Sequence, residues 1–192
     1  MAAATALKHA AMRGDAAVIV ARGAIPPLVA LLNDGVRPAL QDEAAAALRA
    51  LCTGSAPNRS AICSAGAVPP LVALLGSAAP ETQEQAAGLL GSLAMHADGV
   101  AAILAGVGVA PLVSVCCVGC SGAKLDAVHA LRCLSAYSPE SRAALRDAGA
   151  VPVLQALEQE GPRPAAAAAA AALELLARTP EQQGAQCGHP PL

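Results

Sequence analysis

The chain has 192 residues and a formal charge of −2, and 55% of its residues are hydrophobic but only 1% aromatic, with one Tyr and neither Phe nor Trp. Those values exclude a core built on large aromatic side chains, a basic stripe for neutralising phosphates, and aromatic platforms for stacking bases. What remains is an interior of Ala, Leu and Val, with Ala about a quarter of the chain, and such side chains suit thin, closely packed helices because Ala is the strongest helix former.

In chain order, residues 2–12 read as an Ala-rich helix. The stretch GAIPPLVALL at 23–32 follows, a glycine closing one short helix and a proline opening an apolar one. A glycine just past a helix end takes the left-handed conformation without steric cost. A proline in the first turn loses no hydrogen bond. Residues 38–53 then read as a longer amphipathic helix. The same unit returns as GAVPPLVALL at 66–75, GVAPLVSVCC at 108–117 and GAVPVLQAL at 149–157, with Pro26, Pro69, Pro111 and Pro152 opening the apolar helices. The long third helices recur at 80–95, 122–137 and 163–178, and the short first helices include 58–64 and 140–147. Gly23, Gly66, Gly108 and Gly149 are 43, 42 and 41 residues apart; Leu51, Leu93, Leu134 and Leu176 are 42, 41 and 42 apart. Two independent markers with one period identify a repeat architecture.

The residues NRSAICSAGAVPPLVALL at 58–75, followed by QEQAAGLLGSL at 83–93, resemble the armadillo repeat, in the flavour of plant and algal armadillo proteins that include U-box carriers. The resemblance implies an all-α fold, a right-handed armadillo-type α-solenoid of about four three-helix repeats at 15–56, 57–96, 97–137 and 138–178. A partial N-terminal repeat, a third helix only, occupies 1–14. The stretch 179–192 shows no periodicity and reads as a disordered tail. Because residues 2–12 lack their own first and second helices, the expectation is that the chain is a piece of a longer armadillo protein. The competing explanation covers that bare end with another chain, an end-to-end self-association, since solenoid ends need polar caps.

In the family the third helices line a concave groove. At 100° per residue, Ala44, Ala47, Leu48 and Leu51 share the buried side of the first of them, and Asp42, Ala46, Arg49, Ala50 and Thr53 face the other way. The corresponding outward sets are Glu84, Gly88, Gly91, Ser92 and Met95; Leu125, His129, Arg132, Cys133 and Ala136; and Ala167, Ala171, Glu174, Leu175 and Arg178. The candidate partner-binding residues are Asp42, Arg49, Ala50, Glu84, Ser92, His129, Arg132 and Cys133. Importin-alpha-like grooves place a Trp and, four residues on, an Asn on successive third helices. Here Ala46, Gly88, His129 and Ala171 occupy the first positions and Ala50, Ser92, Cys133 and Leu175 the second. An asparagine amide grips a peptide backbone through both donor and acceptor, so recognition of nuclear-localisation signals is not expected. The expected groove is shallow, small-residued and of mixed charge, suited to a partner helix or folded surface.

Cys117, Cys120, His129 and Cys133 have a spacing that zinc sites can show. The repeat register places Cys116 and Cys117 where Leu74 and Leu75 lie, as buried apolar replacements, and puts His129 and Cys133 on the opposite, groove side. No metal, cofactor or catalytic residue is therefore expected. Residues 99–123 carry no charged side chain and are long enough to span a bilayer; Gly106, Gly108 and Pro111 interrupt them, and a membrane role is not the expectation. Seven cysteines without a secretory leader suggest reduced thiols in the cytoplasm or nucleus. The functional expectation is a non-enzymatic protein-protein interaction scaffold with another protein, not nucleic acid, as partner. The alternatives are the substrate-recognition portion of a ubiquitin-ligase-type or membrane-attached adaptor and, last, a Cys/His zinc-dependent enzyme.

Overall fold

The structure is a computed structural model that describes residues 9, 16–33, 35, 37–106 and 108–178. The partial repeat at 1–14, apart from His9, and the tail at 179–192 lie outside the described residues, as does any self-association through the former. Twelve α-helices and no strand occur among the described residues. They form four successive triplets: α1 (Ala16–Ala21), α2 (Ile25–Leu32) and α3 (Pro38–Cys52); α4 (Ala56–Ser64), α5 (Val68–Leu74) and α6 (Pro80–Leu93); α7 (Ala97–Ala105), α8 (Val109–Val118) and α9 (Ser121–Tyr137); α10 (Pro139–Asp147), α11 (Ala150–Glu160) and α12 (Arg163–Ala177).

The third helices α3, α6, α9 and α12 pack side by side and form the spine; first helices meet first helices, and α8 meets α11. Leu51, Leu93 and Leu134 are completely buried, Leu176 nearly so, and one continuous core runs through all four triplets. Alanines carry much of it: Ala44, Ala47, Ala86, Ala87, Ala127, Ala130, Ala169 and Ala172 have no exposed surface. Side chains this short let neighbouring helix axes approach closely, which is why the chain needs no Phe or Trp.

Polar side chains brace the joints. Gln41 Nε2 donates to the carbonyl of Leu32 at 3.0 Å, and Gln83 Nε2 to that of Leu75 at 2.8 Å, each closing the end of a second helix from the following third helix. Asn58 Nδ2 donates to Leu51 O at 2.8 Å and Arg142 Nη1 to Ser135 O at 3.0 Å, tying a first helix to the end of the preceding triplet. These bonds satisfy carbonyls that a helix end leaves orphaned.

The third triplet departs from the expected register. Gly23, Gly66 and Gly149 have φ of 73°, 79° and 74°, whereas Gly108 has φ −74°. Gly108 N–H donates to Ile103 O, the bond made elsewhere by Ala24 to Ile19 and Ala67 to Ile62. Gly108 thus stands where those alanines stand. The consequence continues along α8. Leu112 matches Leu71, and Val115 and Cys116 take the buried places of Leu74 and Leu75. Cys117, expected to be buried, falls one step further round and is exposed.

The uncharged stretch forms α7 and α8, which meet at 85°; no single helix among the described residues is long and apolar enough to cross a membrane.

Candidate groove on the third helices

The face of α3, α6 and α9 away from the core contains a depression of about 300 Å³. Arg49, Ser92, His129, Arg132 and Cys133, five of the expected partner-binding residues, line it together with Gly88, Gly91, Met95, Leu125 and Asp126. Its floor is small because α6 contributes two glycines and a serine. The Ser92 hydroxyl donates back to Gly88 O at 3.0 Å, so it is satisfied within its own helix. Met95 is 65% exposed at the rim. His129 is exposed; Arg132 and Cys133 are half-buried. Burial pushes the Cys133 thiol pKa up, opposed by the neighbouring Arg132 charge.

One ion pair crosses this face. Arg49 Nη1 and Nη2 lie 2.9 and 3.3 Å from Asp126 Oδ2 and Oδ1, a two-pronged contact between the first and third triplets. It passes over α6 at Gly88, where a Cβ would overlap both the guanidinium and the carboxylate. Gly88, expected to face the groove, is consequently buried beneath the pair. Asp126 was not among the expected residues. It lies one helical step from the outward position Leu125, and nothing local marks it as the partner of a residue 77 positions away.

The other three expected residues are elsewhere. Ala50 packs against the core. Asp42, on the first turns of α3, has one carboxylate oxygen buried without a hydrogen-bond partner among the described residues. Glu84 reaches across to the start of α9: its Oε2 lies 3.9 Å from Cys120 Sγ, and the absent side chain of Gly122 makes room for it. A carboxylate there complements the positive end of the helix.

The cysteine and histidine candidates are dispersed. Cys117 lines a separate depression of about 480 Å³ with Lys124, Pro152 and Glu160. Cys120 caps α9, its sulfur accepting from Ala123 N–H at 3.5 Å. Only His129 and Cys133 share the groove depression. Among the described residues no three His, Cys, Asp or Glu side chains are grouped to hold a metal.

The armadillo/beta-catenin-like repeat family matches residues 55–95, which are the second triplet. An engineered protein of known structure is 32% identical, with a TM-score of 0.86 over 91% of this chain and 71% of that one. This chain is an armadillo-repeat protein. A designed armadillo repeat protein solved in complex with the peptide (KR)4 is 26% identical, with a TM-score of 0.83 over 89% of this chain and 72% of that one. A second designed armadillo protein is 27% identical, with a TM-score of 0.85 over 91% and 74%. No curated protein matches the chain. Within this armadillo array the four triplets are the repeats, and the ion pair joins repeat one to repeat three.

Proposed function

We propose that this armadillo protein is a non-enzymatic binding module that holds a protein partner on the groove face of its third helices. The observation carrying the reading is that Arg49, Ser92, His129, Arg132 and Cys133, drawn from three repeats, line one depression on that face. The designed armadillo protein bound to (KR)4 supports a peptide or protein as the class of ligand. Exposed Met95 supplies apolar contact at the rim, a role suited to its adaptable side chain. A reducing compartment, cytoplasm or nucleus, suits thiols such as Cys52 and Cys116 that serve as buried packing.

The test is affinity purification of partners with the native chain and with an Arg132→Glu, Ser92→Trp double variant, whose folding is checked by circular dichroism. A partner retained by the native chain and lost from the folded variant supports the groove. Undiminished binding of that partner to the variant would move the site to the convex face.

A further inference from the structure

We propose that the groove takes an acidic linear segment, and that Asp126 acts as its built-in competitor: a partner carboxylate displaces Asp126 from Arg49 while a second engages Arg132. The proposal rests on the groove being the binding face and adds the chemistry of what it binds.

Two guanidiniums line the depression, and they differ in engagement. Arg49 is matched by the Asp126 carboxylate. Arg132 makes no hydrogen bond or ion pair among the described residues, yet it is half-buried beside exposed His129. A guanidinium presents several N–H donors in a rigid fork that fits two carboxylate oxygens, so an unengaged one in a partly desolvated recess is a site for an anion. The chain as a whole is slightly acidic, with a formal charge of −2, but the charge balance inverts here: two arginines face one aspartate.

The ion pair is arranged for exchange. The Arg49 side chain is 37% exposed and that of Asp126 is 17% exposed, so the guanidinium can be approached from the groove while the carboxylate lies deeper. Arg49 and Asp126 come from helices separated by α6, and the bare backbone at Gly88 lies directly beneath the pair. Beside the pair, Ser92, His129, Arg132 and Cys133 line the depression of about 300 Å³ that a ligand segment would enter. One incoming carboxylate takes the place of Asp126 on Arg49 and leaves that aspartate unpaired, and a second gains the Arg132 contact, which offsets the loss. A basic segment gains neither and meets like charges, which cost rather than contribute.

The experiment is fluorescence anisotropy at physiological salt with four labelled probes: (Glu-Ala)4, (Gln-Ala)4, (Lys-Arg)4 and an eight-nucleotide oligothymidylate. Binding of (Glu-Ala)4 in clear preference to the other three is expected. Asp126→Asn, which keeps shape and removes the competing charge, should tighten (Glu-Ala)4 about threefold or more, and Arg132→Glu should weaken it about tenfold or more. Gly88→Ala gives an independent route, because its methyl group would overlap the Arg49 guanidinium as well as the Asp126 carboxylate; by displacing the anion-binding group it should weaken the acidic probe. Preference for (Lys-Arg)4 or (Gln-Ala)4 would overturn the acidic assignment while leaving a peptide-binding groove standing. Preference for the oligonucleotide would overturn it in favour of a phosphate site. No binding of (Glu-Ala)4, or no gain with Asp126→Asn, would overturn it outright, and the partner purification would still judge the groove separately.

Discussion

At the scale of single residues, the cysteines divide by their surroundings. Burial pushes the thiols of Cys52 and Cys116 up to about 12, and the Cys63 thiol is raised by burial and by nearby Asp98. The thiolate is the reactive form, so at mildly alkaline pH the two core thiols stay protonated and inert. Exposed Cys117 should therefore be the first of the described cysteines to react with a thiol reagent, with Cys52 and Cys116 labelled only on unfolding. Mass spectrometry after timed alkylation checks this; early labelling of Cys116 would contradict the register found for α8. A second expectation concerns Asn58, whose buried side chain closes the end of α3. Asn58→Ala leaves the Leu51 carbonyl unpaired and should cost about 1–3 kcal/mol in urea unfolding.

Within an element, the joint between first and second helices is a conserved piece of backbone geometry in repeats one, two and four. Gly66 sits at φ 79° with open space around its α-carbon. Gly66→Ala should therefore lose stability through backbone strain alone, by about 1–2 kcal/mol. Gly108 has an ordinary φ, but a Cβ there would press on Ile103 and Val72 at 3.1 Å. Any cost of Gly108→Ala is steric, and a Val72→Ala background should relieve part of it, since Ile103 Cγ2 and O stay at 3.1 and 3.2 Å. Gly66→Ala has no such neighbour to trim, so comparing thermal midpoints of the single and double variants separates the two causes.

Across the whole molecule, the main helix packing runs within repeats and between adjacent ones, which favours unfolding that spreads from the ends. In hydrogen exchange, amides of α6 and α9, covered on both sides by other third helices, should outlast those of α1. Among the described residues the Arg49–Asp126 pair departs from nearest-neighbour coupling, because it joins repeats one and three directly. Its exposure limits its contribution: a double-mutant cycle of Arg49→Ala and Asp126→Asn should return about 0.5–1 kcal/mol, shrinking as salt is added. A gain in acidic-ligand affinity that matches in size the stability lost on Asp126→Asn is the signature expected of a competitor.

Residue pattern alone determined the helices, their order and the repeat, because Gly, Pro and apolar spacing act through local backbone preference and burial on a helix face. It also brought Arg49, Ser92, His129, Arg132 and Cys133 to one side, since 100° per residue and a shared register suffice for that. Two things escaped it. The third repeat's register, set on Gly108, was one residue out; the Gly108 to Ile103 hydrogen bond corrects it, and Cys117 turns outward. The Arg49–Asp126 contact was invisible because it links residues 77 apart across an intervening helix. Only the tertiary structure decided it, since it depends on how far apart the stacked third helices lie and on the space that Gly88 leaves above α6.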